Sequence, residues 1–120
     1  MPRTWSVLKQ RADFLRIAAS GRRKVTPAFI LQADAPSAGA PGRVGFTVSR
    51  KVGNAVARNR AKRRLRAIAD AAMDSGAPPV LDFVLIGRAE ALTRDFAAMV
   101  DDLKRAMTHV ARNEPRRGAS

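Results

Sequence analysis

A chain of 120 residues has room for one domain with one modest core. Its 23 Lys and Arg against 10 Asp and Glu give a formal charge of +13, which favours a polyanionic partner, either nucleic acid or an anionic membrane. The absence of cysteine excludes a disulfide framework and a Cys-based zinc site, and no run approaches the roughly 18 apolar residues that span a bilayer. The N-terminus, Met-Pro-Arg-Thr-Trp, lacks the apolar core of a signal peptide, so a soluble cytoplasmic protein is expected.

Residues 8–20 read as a short amphipathic helix with Leu8, Ala12, Leu15 and Ala19 as the buried stripe, Phe14 at its edge and Gly21 as the stop. The basic cluster Arg22-Arg23-Lys24 is expected in the following turn. Two readings of it stay open: favourable charge at a helix C-terminus, or contact with nucleic acid. A strand follows, split by Pro27 into pieces at 24–26 and 28–33 because proline cannot donate to a ladder. Residues 36–42, rich in Pro, Gly, Ala and Ser, suggest a hairpin connection.

Residues 43–49 alternate Val44, Phe46 and Val48 with Gly45, Thr47 and Ser49, the period of a half-buried strand. Then the chemistry changes. From Arg50 to Arg66 there are eight basic residues (Arg50, Lys51, Arg58, Arg60, Lys62, Arg63, Arg64, Arg66) and no acid. Gly53-Asn54 breaks the strand, and Asn54 suits the N-cap of a helix. At about 100° per residue, Ala57, Ala61, Leu65, Ile68 and Ala72 share one stripe of that helix. Asn59, Lys62, Arg63 and Arg66 stand on the opposite face, with Arg60 and Arg64 at its edge. Basic neighbours at i, i+4 repel by a few tenths of a kcal/mol per pair. A face kept only for solubility would intersperse Glu, so polyanion binding is the stronger reading.

The helix is expected to fade near Asp74-Ser75-Gly76. Residues 80–87 form an apolar run of strand length, expected to be covered on both faces, with Arg88 just beyond it at the edge of the binding surface. Thr93 is read as the N-cap of a last helix whose core stripe is Phe96, Val100, Leu103, Met107 and Val110. The domain is expected over residues 1–111, with 112–120 a basic, disordered tail. The order is α-β-β-β-α-β-α, an α+β sandwich with helices on a four-stranded sheet.

No catalytic constellation is visible. With no Cys and one His, His109, neither a Cys/His pair nor a His cluster for a metal exists. The pairs Asp101-Asp102 and Asp70/Asp74 are read as helix solubility.

The run VGFTVSRKVGNAVARNRAKRRLR, with its Lys-Val-Gly-Asn turn and the Arg58-Asn59-Arg60 triplet, resembles the signature of the bacterial ribonuclease P protein component. The resemblance implies a left-handed crossover around the basic helix, where the general handedness rule favours a right-handed one. It also implies an RNA-binding subunit of an endoribonuclease. On that resemblance a partner catalytic RNA, with magnesium held on that RNA and no cofactor on the protein, would remove the 5′ leader of precursor tRNA. Arg50, Lys51, Arg58, Arg60, Lys62, Arg63, Arg64 and Arg66 would neutralise phosphates, and Asn54 and Asn59 would add directional hydrogen bonds. Phe14 takes the place of an aromatic in the family's leader cleft, where Ala18 and Gln32 stand at two positions that are often aromatic. Phe29 and Phe46 are either the floor of that cleft or core. Of the rival readings, a ribosomal-type structural RNA-binding protein fits the basic helix equally well. A DNA-binding module does not, because strands rather than a helix-turn-helix flank the basic helix.

Overall fold

In the computed structural model, which describes residues 5–37, 39–73 and 79–112, the chain runs through β1 (Ser6–Val7), α1 (Arg11–Ala19), β2 (Arg22–Val25), β3 (Phe29–Asp34), β4 (Arg43–Val48), α2 (Ala55–Ala72), β5 (Asp82–Gly87) and α3 (Phe96–Arg112). Among the described residues the strands form one sheet in the order β1-β4-β5-β3-β2. The fold is therefore the expected single-domain α+β sandwich, with five strands instead of four. The extra strand pairs two residues with β4, too short a stretch to show any periodicity.

β5 is the middle strand, parallel to β4 and antiparallel to β3. Because β5 lies between them, the connection at residues 35–42 is not a hairpin: it carries the chain across the end of β5. Gly42 suits this crossing, since its N–H donates to the Pro79 carbonyl at 2.8 Å and any Cβ would collide with the Pro79 and Leu81 carbonyl oxygens. The hairpin is instead β2–β3. It turns on Pro27, with the Thr26 hydroxyl accepting from the Phe29 N–H at 3.1 Å. Arg22, Arg23 and Lys24 thus lie on an edge strand rather than in a turn.

The sheet is covered on both faces. Phe83 and Leu85 of β5 join Phe29, Leu31, Val44, Leu65, Ile68, Met99 and Leu103 in the main core under α2 and α3. Val84 and Ile86 point the other way, against Leu8, Phe14 and Ile17. α2 buries Ala61, Leu65, Ile68 and Ala69, close to the expected stripe, and Asn54 caps it by accepting the Ala57 N–H at 2.9 Å. Its expected fading at 74–76 lies outside the described residues, as does the tail beyond Arg112.

Two helices are rotated from expectation. α1 begins at Arg11, and Leu8 is buried ahead of it, donating its N–H to the Val44 carbonyl at 2.9 Å. Ile17 and Phe14 face the sheet, while Leu15 is 57% exposed. Neighbouring residues point about 100° apart, so choosing Phe14 over Leu15 turns the whole stripe. Gly21, at φ +85°, ends the helix as expected. α3 is centred on Met99, Leu103, Ala106 and Val110, leaving Phe96 at the margin. Asp95 takes the capping place assigned to Thr93, accepting the Ala98 N–H at 3.0 Å.

The end of the sheet holds an ion cluster that the apolar reading of residues 80–87 missed. Asp82 is fully buried. It accepts the Arg43 backbone N–H at 2.8 Å, the Arg43 guanidinium at 3.3 Å and the Arg16 guanidinium at 2.6 Å. Asp34 faces Asp82 across the β3–β5 ladder, a like-charge pair that would repel alone. Arg16 bridges the two, donating to Asp34 at 2.9 Å and to the Ala35 carbonyl at 2.8 Å. Asp13 lies 3.4 Å from both Arg16 and Arg43. Burial works against the Arg16 charge, but hydrogen bonds to Asp82, Asp34 and Asp13 outweigh it and raise its pKa above the ordinary arginine value.

Truncation of Asp82 removes the acceptor shared by two guanidinium groups and strands the Arg43 backbone N–H. Asp82→Ala should lower stability in urea unfolding by about 3 kcal/mol, and a loss below about 0.5 kcal/mol would show that the cluster is not a structural anchor.

Candidate nucleic-acid interface

Two surfaces qualify, and they are built on opposite faces of the sheet. The first is the basic turn and helix. β4 runs into the 3-10 turn Arg50–Val52, and Gly53, at φ +149°, reverses the backbone into the α2 cap. Arg50, Lys51, Asn54, Asn59, Arg60, Arg63 and Arg66 are exposed, while Arg58, Lys62 and Arg64 are half-buried.

The expected binding residues are not equivalent. Among the described residues, no side-chain hydrogen bond or ion pair engages Arg60, Lys62 or Arg63, so their charge is free to meet a ligand. Arg58 folds back to donate to the Gly53 carbonyl at 2.8 Å, bracing the turn while remaining half-exposed. Asn54 has committed its side-chain oxygen to the helix cap, leaving its NH2 group to act outward. Arg66 lies over the Phe46 ring at 5.8 Å, and Phe46 in turn meets buried Trp5 at 5.6 Å. Arg64 is set apart from the group. It donates to the Ala91 and Arg94 carbonyls, both at 2.7 Å, and so ties α2 to the segment that leads into α3. Arg88, expected at the surface edge, is likewise engaged, donating to the Thr26 carbonyl at 2.7 Å.

The second surface is an open groove of about 450 Å³ beside α1. Its floor includes Gln32, Val84, Ile86 and Thr47, and its wall is Phe14, Leu15 and Ala18. Phe14, Ala18 and Gln32, distant in sequence, therefore share one groove. Gly45 allows this closeness: a Cβ there would stand 2.6 Å from the Phe14 ring. Phe29 is not part of the groove. It is fully buried on the opposite face because odd-numbered positions of β3 point into the main core. Phe46 borders the groove, but its ring belongs to the Trp5 side, and it is 8% exposed.

Sequence reasoning missed Lys9, Arg11 and Leu15, which also line the groove. The spacing Arg11, Phe14, Leu15, Ala18 is that of one helical face and could have revealed it. Asp102 was misread as a solubility residue. It is buried and accepts from Arg94 at 2.7 Å and Arg105 at 3.0 Å, and its hydrogen bond holds Arg94 above the ordinary arginine pKa. Among the described residues, no three His, Cys, Asp or Glu side chains are placed to hold a metal ion, and no helix is long and apolar enough to cross a membrane.

Fold and surface together define a small α+β protein that presents a basic helix on one side of its sheet and a partly apolar groove on the other. The family model described as Ribonuclease P matches residues 1–111. The ribonuclease P protein component of Paramagnetospirillum magneticum is 49% identical over 108 residues, covering 86% of this chain and 80% of the relative. That of Ruegeria pomeroyi is 49% identical over 113 residues, covering 92% and 90%. Among solved structures, the RNase P protein of Staphylococcus aureus superposes with a TM-score of 0.70 at 27% identity, covering 88% of this chain and 94% of that one. The Thermotoga maritima protein gives 0.66 at 30%, covering 88% and 97%. The chain belongs to the ribonuclease P protein family.

The two kinds of arginine should separate on mutation. Arg64→Ala removes charge-assisted bonds to two carbonyls and should cost about 1.5–3 kcal/mol in thermal or urea unfolding. Arg63→Ala should change stability by less than about 0.5 kcal/mol in either direction. Equal losses for the two would contradict the assignment.

Proposed function

We propose that this chain is the RNA-binding protein subunit of ribonuclease P, assisting a catalytic RNA in removing the 5′ leader from precursor tRNA. The observation that carries the reading is the uncompensated face of α2, where Asn59, Arg60, Lys62 and Arg63 present three cations without a side-chain partner among the described residues, beside the braced turn at Arg50, Lys51 and Arg58. Such a face is destabilising by self-repulsion and is relieved by phosphates. In this reading Arg60, Lys62 and Arg63 grip the catalytic RNA, with Arg50, Lys51, Arg58 and Arg66 flanking them. Arg64 serves the scaffold first.

The groove beside α1 takes the single-stranded leader. Its mouth is basic at Lys9 and Arg11, suited to a phosphate backbone, and its wall offers one aromatic ring, Phe14. Ala18 leaves the next turn of that wall without a stacking surface. Magnesium held on the partner RNA would supply the metal-assisted hydrolytic chemistry, with no side chain of this chain assigned to it. The side chains of this chain bring charge and shape: they lower phosphate repulsion between substrate and catalytic RNA and hold the leader in register.

With one ring in the groove, leader affinity rests more on charge than on stacking. The preference of the assembled enzyme for precursor over mature tRNA should therefore shrink as monovalent salt rises, by a log–log slope of about −0.7 per phosphate contact. Ala18→Phe should restore preference by up to about 1–3 kcal/mol, with the restored part insensitive to salt. The check is binding of both substrates to the holoenzyme at several salt concentrations with magnesium saturating. A preference flat with salt, or an Ala18→Phe variant identical to the parent, would place the leader elsewhere.

A further inference from the structure

The groove's two sides are held together by very little. α1 is nine residues long, too short to be stable alone, and its N-cap residue Gln10 makes no side-chain cap. It packs chiefly on β3 and β5. Its apolar footing is Ile17 with part of Phe14, set on Leu8 and Val84. Among the described residues, its ion pairs to the sheet run through Asp13 and Arg16.

The register shows how close that clamp lies to the groove. On the α1 face of the sheet, Asp34, Asp82 and Arg43 form one row at the strand ends. Gln32, Val84 and Gly45 form the next row, and this is the groove floor beneath Phe14. Arg16 therefore grips the sheet one row away from the floor, and it sits two residues from Phe14 and two from Ala18 on the same short helix. Arg16 itself does not line the groove. It fixes where the wall stands by holding Asp34, Asp82 and the Ala35 carbonyl at once.

We propose that Arg16, clamped between Asp34 and Asp82, is a positioning residue for substrate discrimination: it sets the gap between α1 and the sheet and thereby the fit of a single-stranded leader. This inference rests on the reading of the groove as the leader site. A side chain that served stability alone would, when removed, weaken all functions together. Removing a positioning residue instead changes one ratio, the preference for leader-bearing over leaderless substrate, and leaves assembly with the catalytic RNA intact.

The test uses the reconstituted holoenzyme with Arg16→Met, Phe14→Ala and the double variant. Dissociation constants are measured for precursor and mature tRNA, together with protein affinity for the catalytic RNA and hydrogen exchange of the α1 amides. Arg16→Met should reduce the precursor-to-mature preference about three- to tenfold, within the range found for residues that touch neither ligand, while affinity for the catalytic RNA is unchanged. The α1 amides should exchange faster. The double variant should lose little more than Phe14→Ala alone, because Arg16 acts through the wall that carries Phe14. Asp34→Asn, which spares the Arg16–Asp82 bond, should show the same pattern at smaller amplitude and serves if Arg16→Met does not fold. Faster α1 exchange with an unchanged preference would overturn the proposal, as would losses that add in the double variant. If Phe14→Ala leaves the preference untouched, the leader-groove reading itself fails. If Phe14→Ala lowers the preference and Arg16→Met does not, only the positioning role fails.

Discussion

A carboxylate with no access to water holds one end of this molecule together. Removing Asp82 from solvent is costly, and the cost is met only because two guanidinium groups and a backbone N–H converge on it. Those donors come from α1 and from the start of β4. One buried charge thus sets the strand ends, the seat of the first helix and, one residue row further on, the floor of the groove. Replacing such a cluster with apolar residues could give an equally stable sheet. It would not reproduce the directional hold on α1, because an apolar contact fixes distance more loosely than a guanidinium spanning two carboxylates.

The basic residues divide by the same physics. A formal charge of +13 in a single small domain is a strain on the folded state, and the protein meets it in two ways. Part of the charge is consumed internally. Arg16, Arg43, Arg94 and Arg105 pair with buried or half-buried carboxylates, and Arg64 and Arg88 donate to backbone carbonyls. Among the described residues, Arg50, Lys51, Arg60, Lys62 and Arg63 are left without a side-chain partner, and they cluster on the basic turn and helix. In the proposed role, an RNA backbone would supply the negative charge that this surplus lacks.

Much of this was legible in the sequence, wherever local pattern and tertiary role coincide. The strand at Val44–Val48, the Asn54 cap and the Ala61–Leu65–Ile68 stripe each follow from spacing alone, and each appears as read. The failures share a cause. Asp82 sits in a run that looks uniformly apolar, and its partners lie 39 and 66 positions away. The helical spacing sets Arg64 at the edge of the basic face, but its commitment to the Ala91 and Arg94 carbonyls depends on the segment that leads into α3. In α1 the sequence offers two adjacent large apolar residues, Phe14 and Leu15, and it is Phe14 that packs on the sheet, where Gly45 leaves room for its ring. Phe29 was ambiguous for a similar reason, because the parity of β3 is fixed by its pairing with β5.

In the proposed division of labour, an RNA performs the cleavage and this chain supplies charge and a leader groove. Reconstitution tests it most directly: purified, RNA-free protein and the catalytic RNA are assayed separately and together on precursor tRNA at low magnesium. Efficient release of the 5′ leader is expected only from the mixture, with the protein alone leaving the substrate intact at any magnesium concentration. Specific 5′ maturation by RNA-free protein, or a mixture no faster than the RNA alone, would contradict it.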